Sequence, residues 1–271
     1  MTTSQKERAE RFQALHRSAR PFVIANVWDG GSARIMAGLG FEALATSSGA
    51  SANTLGRLDG NVTREEALSH IHTIVAATDL PLSGDLEKGF GDSPEAAAAT
   101  IRLAAEAGLV GGSIEDASGN RQKPIYDIGL ATERIAAAVA AARAQPFPFT
   151  LTARCENFLR GNPDLDDTVR RLQAYEKAGA DVLFAPLLPS LEAVRTVCAS
   201  VSRPVNFMIG VPGTSFSIAE LEAAGVRRIS LATSLYRAAM SGLIAAAQEI
   251  REQRTFGYVE RLPDVNKFMQ R

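Results

Sequence analysis

The chain has 271 residues, of which 46% are hydrophobic and 22% charged, and its formal net charge is −1. That composition supplies a large buried core, and balanced charge without a basic cluster argues against a nucleic-acid partner. No apolar run reaches the roughly 18 residues of a membrane span; the start from Met1 to Arg20 is polar, and Cys155 and Cys198 are too few for a disulfide framework, so a cytoplasmic protein is expected.

Strand-like and helix-like segments then alternate. Phe22 to Val27 reads as a strand, Gly30 to Leu39 as a helix closed by Gly40, and Phe41 to Thr46 as a strand. Thr63-Arg64-Glu65-Glu66 is a capping box, in which the Thr and Glu side chains satisfy each other's free backbone N–H groups; it opens a helix running to about Ala77. Pro81 to Asp85 is the third strand. Ser93 caps, and Pro94 begins, a helix ending at Gly108. Val110 to Glu115 is a strand, Ala131 to Arg143 a helix and Pro148 to Arg154 a strand. A helix from Asp166 stops at Gly179, and Asp181 to Ala185 forms the sixth strand. Leu191 to Val201 is helical, and Pro204 to Ile209 is the seventh strand. Ser217-Ile218-Ala219-Glu220 is a second capping box, with its helix ending at Gly225. Arg228 to Ala232 is the eighth strand, and Tyr236 to Gln253 the last long helix.

Ala107-Gly108, Ala178-Gly179 and Ala224-Gly225 repeat one helix ending, a Gly in the left-handed position after the last turn. Eight such units predict an α/β fold, a single (β/α)8 TIM barrel over residues 1–271 with a helical N-terminal extension 1–20 and a C-terminal tail 255–271. An open doubly wound sheet would want a nucleotide loop after the first strand, and Trp28-Asp29-Gly30-Gly31-Ser32 does not fit G-x-G-x-x-G. The tail still carries Phe256, Tyr258, Val259, Leu262, Val265, Phe268 and Met269 after the barrel is complete, so a homo-oligomer that covers them is expected.

Barrel chemistry sits at the C-terminal ends of the strands. Asp85 and Glu87 are spaced i, i+2 and would share one face of an extended strand; Glu115-Asp116 recurs at the equivalent place one unit later. Crowded carboxylates repel, and a hard cation relieves them: Mg2+, with Mn2+ as the alternative. Arg154 shares a face with Thr152 and Glu156. It either grips a substrate carboxylate or pairs with Glu156 or Glu115. Ser48-Gly49-Ala50 either offers backbone N–H groups to an oxyanion or is an ordinary turn. Asn206 either orients a carboxylate or is structural. The sixth strand, ending in Ala185-Pro186, offers no polar group. His16, His70 and His72 fall away from the strand ends, which argues against a zinc site or a His-dependent triad. Residues 117–127 follow Glu115-Asp116 at the rim and read as a lid that brings Asn120 or Arg121 onto the substrate.

Trp28-Asp29, Thr46-Ser47-Ser48-Gly49, Leu55-Gly56-Arg57-Leu58-Asp59-Gly60, Asp85-Leu86-Glu87-Lys88-Gly89-Phe90-Gly91, Ser113-Ile114-Glu115-Asp116, Ala153-Arg154 and Pro204-Val205-Asn206 together resemble the isocitrate lyase / phosphoenolpyruvate mutase superfamily. The resemblance is to its phosphoenolpyruvate mutase-like branch. It implies a Mg2+-dependent enzyme acting on a small 2-oxo or 2-hydroxy carboxylate through an enolate-like intermediate. By resemblance, Asp85, Glu87 and Glu115 are metal ligands, some through water. Ser48, Gly49, Ala50, Asp85 and Asn206 hold substrate, Arg154 clamps its carboxylate, and Asp59 is an acid near the reacting centre. The resemblance also implies a tetramer that exchanges its last helices between subunits.

The chain departs from the lyases. Their Lys-Lys-Cys-Gly-His loop is here Ala117-Ser118-Gly119-Asn120-Arg121-Gln122-Lys123-Pro124, without Cys or His, and their Glu on the sixth strand is missing. Asn120 and Arg121 are only crude stand-ins for the mutase's basic loop. The expected activity is therefore C–C cleavage of an oxaloacetate-like acid by a lyase or hydrolase. A mutase or hydrolase acting on a P–C bond, and a non-catalytic barrel that binds 2-oxo acids, are the alternatives.

Overall fold

Eight parallel strands pair in chain order and close on themselves, β1 returning to β8. The computed structural model describes residues 3–270; Met1, Thr2 and Arg271, the outermost residues of the predicted extension and tail, lie outside the described residues. The strands are β1 Phe22–Val27, β2 Leu44–Thr46, β3 Leu82–Asp85, β4 Gly111–Glu115, β5 Thr150–Arg154, β6 Val182–Phe184, β7 Val205–Met208 and β8 Arg228–Ser230. The helices are α1 Gln5–Arg17, α2 Gly30–Gly38, α3 Ser48–Thr54, α4 Arg64–Val75, α5 Pro94–Glu106, α6 Ile128–Arg143, α7 Leu165–Lys177, α8 Leu191–Ser200, α9 Ile218–Ala223 and α10 Ser234–Gln248. This is the (β/α)8 barrel that the alternation predicted.

The local signals act as read. Thr63 Oγ1 accepts from Glu66 N at 3.2 Å while Thr63 N donates to the Glu66 carboxylate at 2.9 Å. Ser217 and Glu220 make the same reciprocal pair at α9. Gly108, Gly179 and Gly225 take φ of +100°, +102° and +98°, the left-handed turn that returns the chain to the next strand. Ile101 and Ala104 of α5, with Ile135 and Ala138 of α6, are buried in the main core between helices and sheet. Small Ala faces let these helices lie close to the strands.

Four expectations need correction. Ser48–Thr54 is a short helix rather than a turn, because Ser47 Oγ accepts from Ala50 N and starts it. The helix expected from Ala131 begins three residues earlier, at Ile128; Asp127 stands before it without a side-chain cap, its carboxylate bound to Lys123 Nζ at 2.6 Å. The last helix begins at Ser234 and runs into a wider π-helical turn over Glu249–Gln253. His16 does not merely precede the barrel. Through α1 it closes the barrel's N-terminal end, where its ring meets Phe12 and Phe22 edge-on at 4.6 and 5.0 Å. Gly111 admits this plug, since a Cβ there would lie 2.8 Å from the Phe12 ring.

Not every helix is covered. α10 buries none of its residues, and Leu243 and Ile244 are 62% and 56% exposed. Phe256, Val259, Leu262 and Val265 of the tail are exposed as well. No helix among the described residues is long and apolar enough to cross a membrane.

Candidate active site

A cavity of about 820 Å3 opens at the C-terminal ends of the strands and reaches down into the barrel. Its upper wall comes from β3, β4 and β5. Asp85, Glu87, Glu115 and Arg154 all line it, as do Ser48, Gly49, Asp59, Arg121 and Asn206. Ala50 does not: it is buried, and its N–H belongs to Ser47. Asn120 is exposed on the rim loop, with its Oδ1 turned back to accept from Gln122 N at 2.8 Å.

Asp85 and Glu87 meet in the cavity by a different route from the one their spacing implied. β3 ends at Asp85, and Glu87 lies beyond it at φ +49°, so the two are not neighbours on one strand face. The Gly-rich segment turns instead of extending, with Gly89 and Phe90 also at positive φ. Arg134 fixes that turn. Its guanidinium donates to Gly91 O at 2.9 Å, to Ser93 O at 3.3 Å and to Lys88 O.

Asp85 Oδ2 accepts from Ser48 N at 3.1 Å and from Ser48 Oγ at 2.9 Å, so the start of α3 is bound to β3. Its other oxygen, Oδ1, is buried without a hydrogen bond and lies 3.8 Å from the Arg154 guanidinium. Burial, with the carboxylates of Asp85 and Asp59, pushes Glu87 up to about 7. Burial also pushes Glu115 up to about 8, Arg154 opposing it and Glu156 and Asp85 adding to it.

Arg154 is held among acids. It donates through Nε to Glu156 and lies 3.5 Å from Glu115. Burial alone would lower its proton affinity, but Glu156, Glu115 and Asp85 outweigh that and hold it above its ordinary value. Phe184 of β6 lies under the guanidinium at 5.1 Å, so the strand without polar groups contributes an aromatic face instead. Arg160, which sequence reasoning passed over, reaches Glu115 and Glu156 at 3.2 Å each. The signal for it was its i+4 spacing from Glu156.

Asp116 is not part of this ring. Adjacent residues of a strand face opposite ways, and Asp116 points behind the sheet. There it accepts from Tyr175 Oη at 2.6 Å, Glu156 N at 2.8 Å and Arg171 at 3.2 Å. Burial raises its proton affinity, and the Tyr175 and Glu156 hydrogen bonds offset part of that. His70 corrects a second expectation. Its Nε2 is 2.6 Å from Trp28 O, at the end of β1, and its Nδ1 is 3.1 Å from Ser51 Oγ. It ties α4 to β1 and α3 beside the cavity.

The donor set fits a hard, partly hydrated cation. Among the described residues no three Asp, Glu, His or Cys side chains converge into a closed cage. Mg2+ does not need one, because it keeps several waters and takes one or two carboxylates. The buried, unbonded Asp85 Oδ1 and the raised proton affinities of Glu87 and Glu115 mark a place short of positive charge.

Known proteins match this chain over most of its length. The family model described as phosphoenolpyruvate phosphomutase matches residues 12–251. A crystal structure of a provisionally named lyase/mutase from Burkholderia cenocepacia J2315 superposes with a TM-score of 0.95 at 51% identity, covering 97% of this chain and 96% of that one. The 2-methylisocitrate lyase of Escherichia coli K12 is 30% identical over 237 residues, 84% of this chain and 79% of the lyase. The oxaloacetate decarboxylase of Paraburkholderia xenovorans LB400 is 30% identical over 236 residues, 84% of this chain and 77% of the decarboxylase.

Proposed function

Since the chain belongs to the phosphoenolpyruvate phosphomutase family, within the phosphoenolpyruvate mutase / isocitrate lyase superfamily, we propose that it is a Mg2+-dependent lyase or hydrolase that cleaves a C–C bond of a small, oxaloacetate-like 2-oxo or 2-hydroxy acid. The observation that carries this reading is the ring of Asp85, Glu87 and Glu115 around Arg154 in one cavity at the strand ends. Asp85 would hold the ion directly, and Glu87 and Glu115 through water. Bound there, the ion supplies positive charge that stabilises an oxyanion developing on the substrate's 2-oxygen.

The chain's own residues do the rest. Arg154 presents a planar fork to the substrate carboxylate, its direction set by Glu156 on one side and Phe184 beneath. Ser48 keeps Asp85 in place through two hydrogen bonds. Asp59 borders the cavity beside Gly49, where a Cβ would stand 3.5 Å from its carboxylate, and serves as the proton-transferring acid. The rim loop is anchored at its base by a bridge between Ala117 and Ile125, and Lys88 Nζ donates to Ser118 O at 2.8 Å. Its exposed tip carries Arg121 at the cavity mouth and acts as the lid that excludes water.

Turnover of a panel of 2-oxo and 2-hydroxy dicarboxylates, with Mg2+ and with chelator, tests the reading. Product formation that depends on the metal supports it. Phosphate release from phosphonopyruvate would instead assign a P–C bond, as the matched family's description would favour. Binding without turnover would leave a carboxylate-binding barrel. The bare apolar side of α10 and the tail support a homo-oligomer, a tetramer exchanging these segments; a monomer in sedimentation at micromolar concentration would overturn that. The free Cys155 and Cys198 suit a reducing compartment and a cytoplasmic location.

A further inference from the structure

The cavity does not end at the carboxylate ring. Below it the walls are Ser83, Ser113 and Asn26, and at the bottom stand Asn206 and Arg228. The strand register runs unbroken from the ring to that floor: Glu115 pairs with Arg154, Arg154 with Phe184, Phe184 with Asn206 and Asn206 with Arg228. The two ends of this row are electrically opposite. Arg154 is surrounded by acids. Arg228 is only 5% exposed and has none, for no carboxylate among the described residues pairs with it.

Its partners are neutral. Arg228 Nε donates to Asn206 Oδ1 at 2.8 Å, and Nη1 points at His16 Nε2 at 3.4 Å. His16 Nδ1 donates to Phe12 O at 2.8 Å, which leaves Nε2 as the bare acceptor of a neutral ring. Asn206 Nδ2 donates to Ser230 Oγ at 2.9 Å, which fixes the amide with its oxygen toward Arg228. Nη2 makes no hydrogen bond among the described residues. Two neutral groups thus aim the guanidinium without neutralising it. A buried charge without a counter-charge is strongly unfavourable. The other buried arginines among the described residues are compensated, Arg171 by the carboxylates of Asp116 and Asp167 and Arg134 by the carbonyl oxygens of Lys88, Gly91 and Ser93, whereas Arg228 has neither.

We propose that Arg228, aimed by Asn206 and His16, is the receptor for a second anionic group of the substrate and selects dicarboxylates over monocarboxylates. The inference rests on the carboxylate-substrate reading above. One carboxylate is taken at the ring by Arg154, and the other reaches the floor, where the guanidinium fork meets it. His16 and Asn206 are positioning residues, and Arg228 sets specificity.

Isothermal titration in the presence of Mg2+ tests this with malonate and succinate against acetate and propionate. Wild type should bind the better dicarboxylate at least about tenfold tighter than either monocarboxylate. In Arg228→Met that preference should vanish while monocarboxylate affinity stays the same. The variant should also melt no lower than wild type, because an apolar side chain replaces an unpaired buried charge. Arg228→Lys should stay folded yet recover only part of the preference, since a point charge does not reproduce the fork. A dicarboxylate preference that survives in Arg228→Met would overturn the proposal, as would a marked fall in that variant's melting temperature, which would make the residue structural. If wild type binds no carboxylate but binds inorganic phosphate, and Arg228→Met loses it, the anion receptor stands and the oxo-acid reading of the site falls.

Discussion

The upper wall of the cavity and its floor solve opposite electrostatic problems with the same barrel. On the β3–β5 wall, Asp85, Glu115 and Glu156 surround Arg154, and Arg160 closes the network from outside. That wall has more carboxylates than arginines, and burial, with the neighbouring carboxylates adding to it, raises the proton affinity of Glu87 and Glu115. On the β7–β8 floor, Arg228 pairs with no acid among the described residues, and burial lowers it to about 9. A wall short of cations and a floor short of anions are complementary to one ligand set: a metal ion above and an anionic group below. Charge left uncompensated by the protein marks where the ligand belongs.

Breaking the wall should have the largest effect. Asp85→Ala removes the proposed direct metal ligand, whose Oδ1 is buried without a hydrogen bond, and frees Ser48 as well. Turnover should fall by about three orders of magnitude or more, and Mg2+ binding should weaken strongly. Unchanged Mg2+ affinity by titration would remove Asp85 from the metal site and break the comparison at its first term. Deleting Ser118 to Gln122 should come next. It removes Arg121 from the rim while leaving Glu115 in place, so kcat should drop by about a hundredfold with Mg2+ affinity within a few-fold. A deletion variant with full kcat would show that the strand-end residues suffice. Arg154→Lys should be milder: the charge stays among its acids but the fork is lost, raising KM about tenfold, or about 1.4 kcal/mol. Wild-type kinetics in that variant would reduce Arg154 to the ion pair with Glu156.

How legible these regions were differs for physical reasons. The barrel could be read because each unit carries its own punctuation: Ser93-Pro94 and Thr63 through Glu66 open helices, and Gly108, Gly179 and Gly225 close them. α3 escaped because Ser48 to Thr54 is too short to show an apolar period. The acids of the wall were visible as a cluster of like residues in neighbouring units. Their orientation was not: Glu87 depends on a left-handed turn held by Arg134 from α6, far away in sequence. Asp116 could have been excluded from sequence, since it directly follows inward-facing Glu115. Arg228 could not have been singled out. Its meaning lies in the acids that the fold fails to bring near it, and a sequence does not display an absence of neighbours.

The smallest expected effect sharpens the floor. His16 is buried against Phe12 and Phe22, and burial, followed by the charge of Arg228, lowers it to about 3. In the unfolded chain it would titrate near its ordinary value of about 6.5. Between those values the unfolded chain takes up a proton that the folded barrel refuses. The folded state is therefore penalised as pH falls through about 6.5, by up to roughly 1.4 kcal/mol per pH unit until about pH 3, while above about 6.5 the residue costs nothing. Glu87 and Glu115 act in the opposite sense, since raised carboxylates favour folding as pH falls. The informative quantity is therefore the difference between wild type and His16→Gln, whose amide oxygen still offers Arg228 an acceptor. Urea unfolding at pH 7.5 and pH 5.0 should show wild type losing more stability on acidification than the variant, with the two converging above pH 7. Parallel profiles would mean that His16 is not held neutral beneath Arg228. Arg228 would then lose its neutral acceptor on acidification, and the part of the floor argument in which His16 aims the guanidinium would fail.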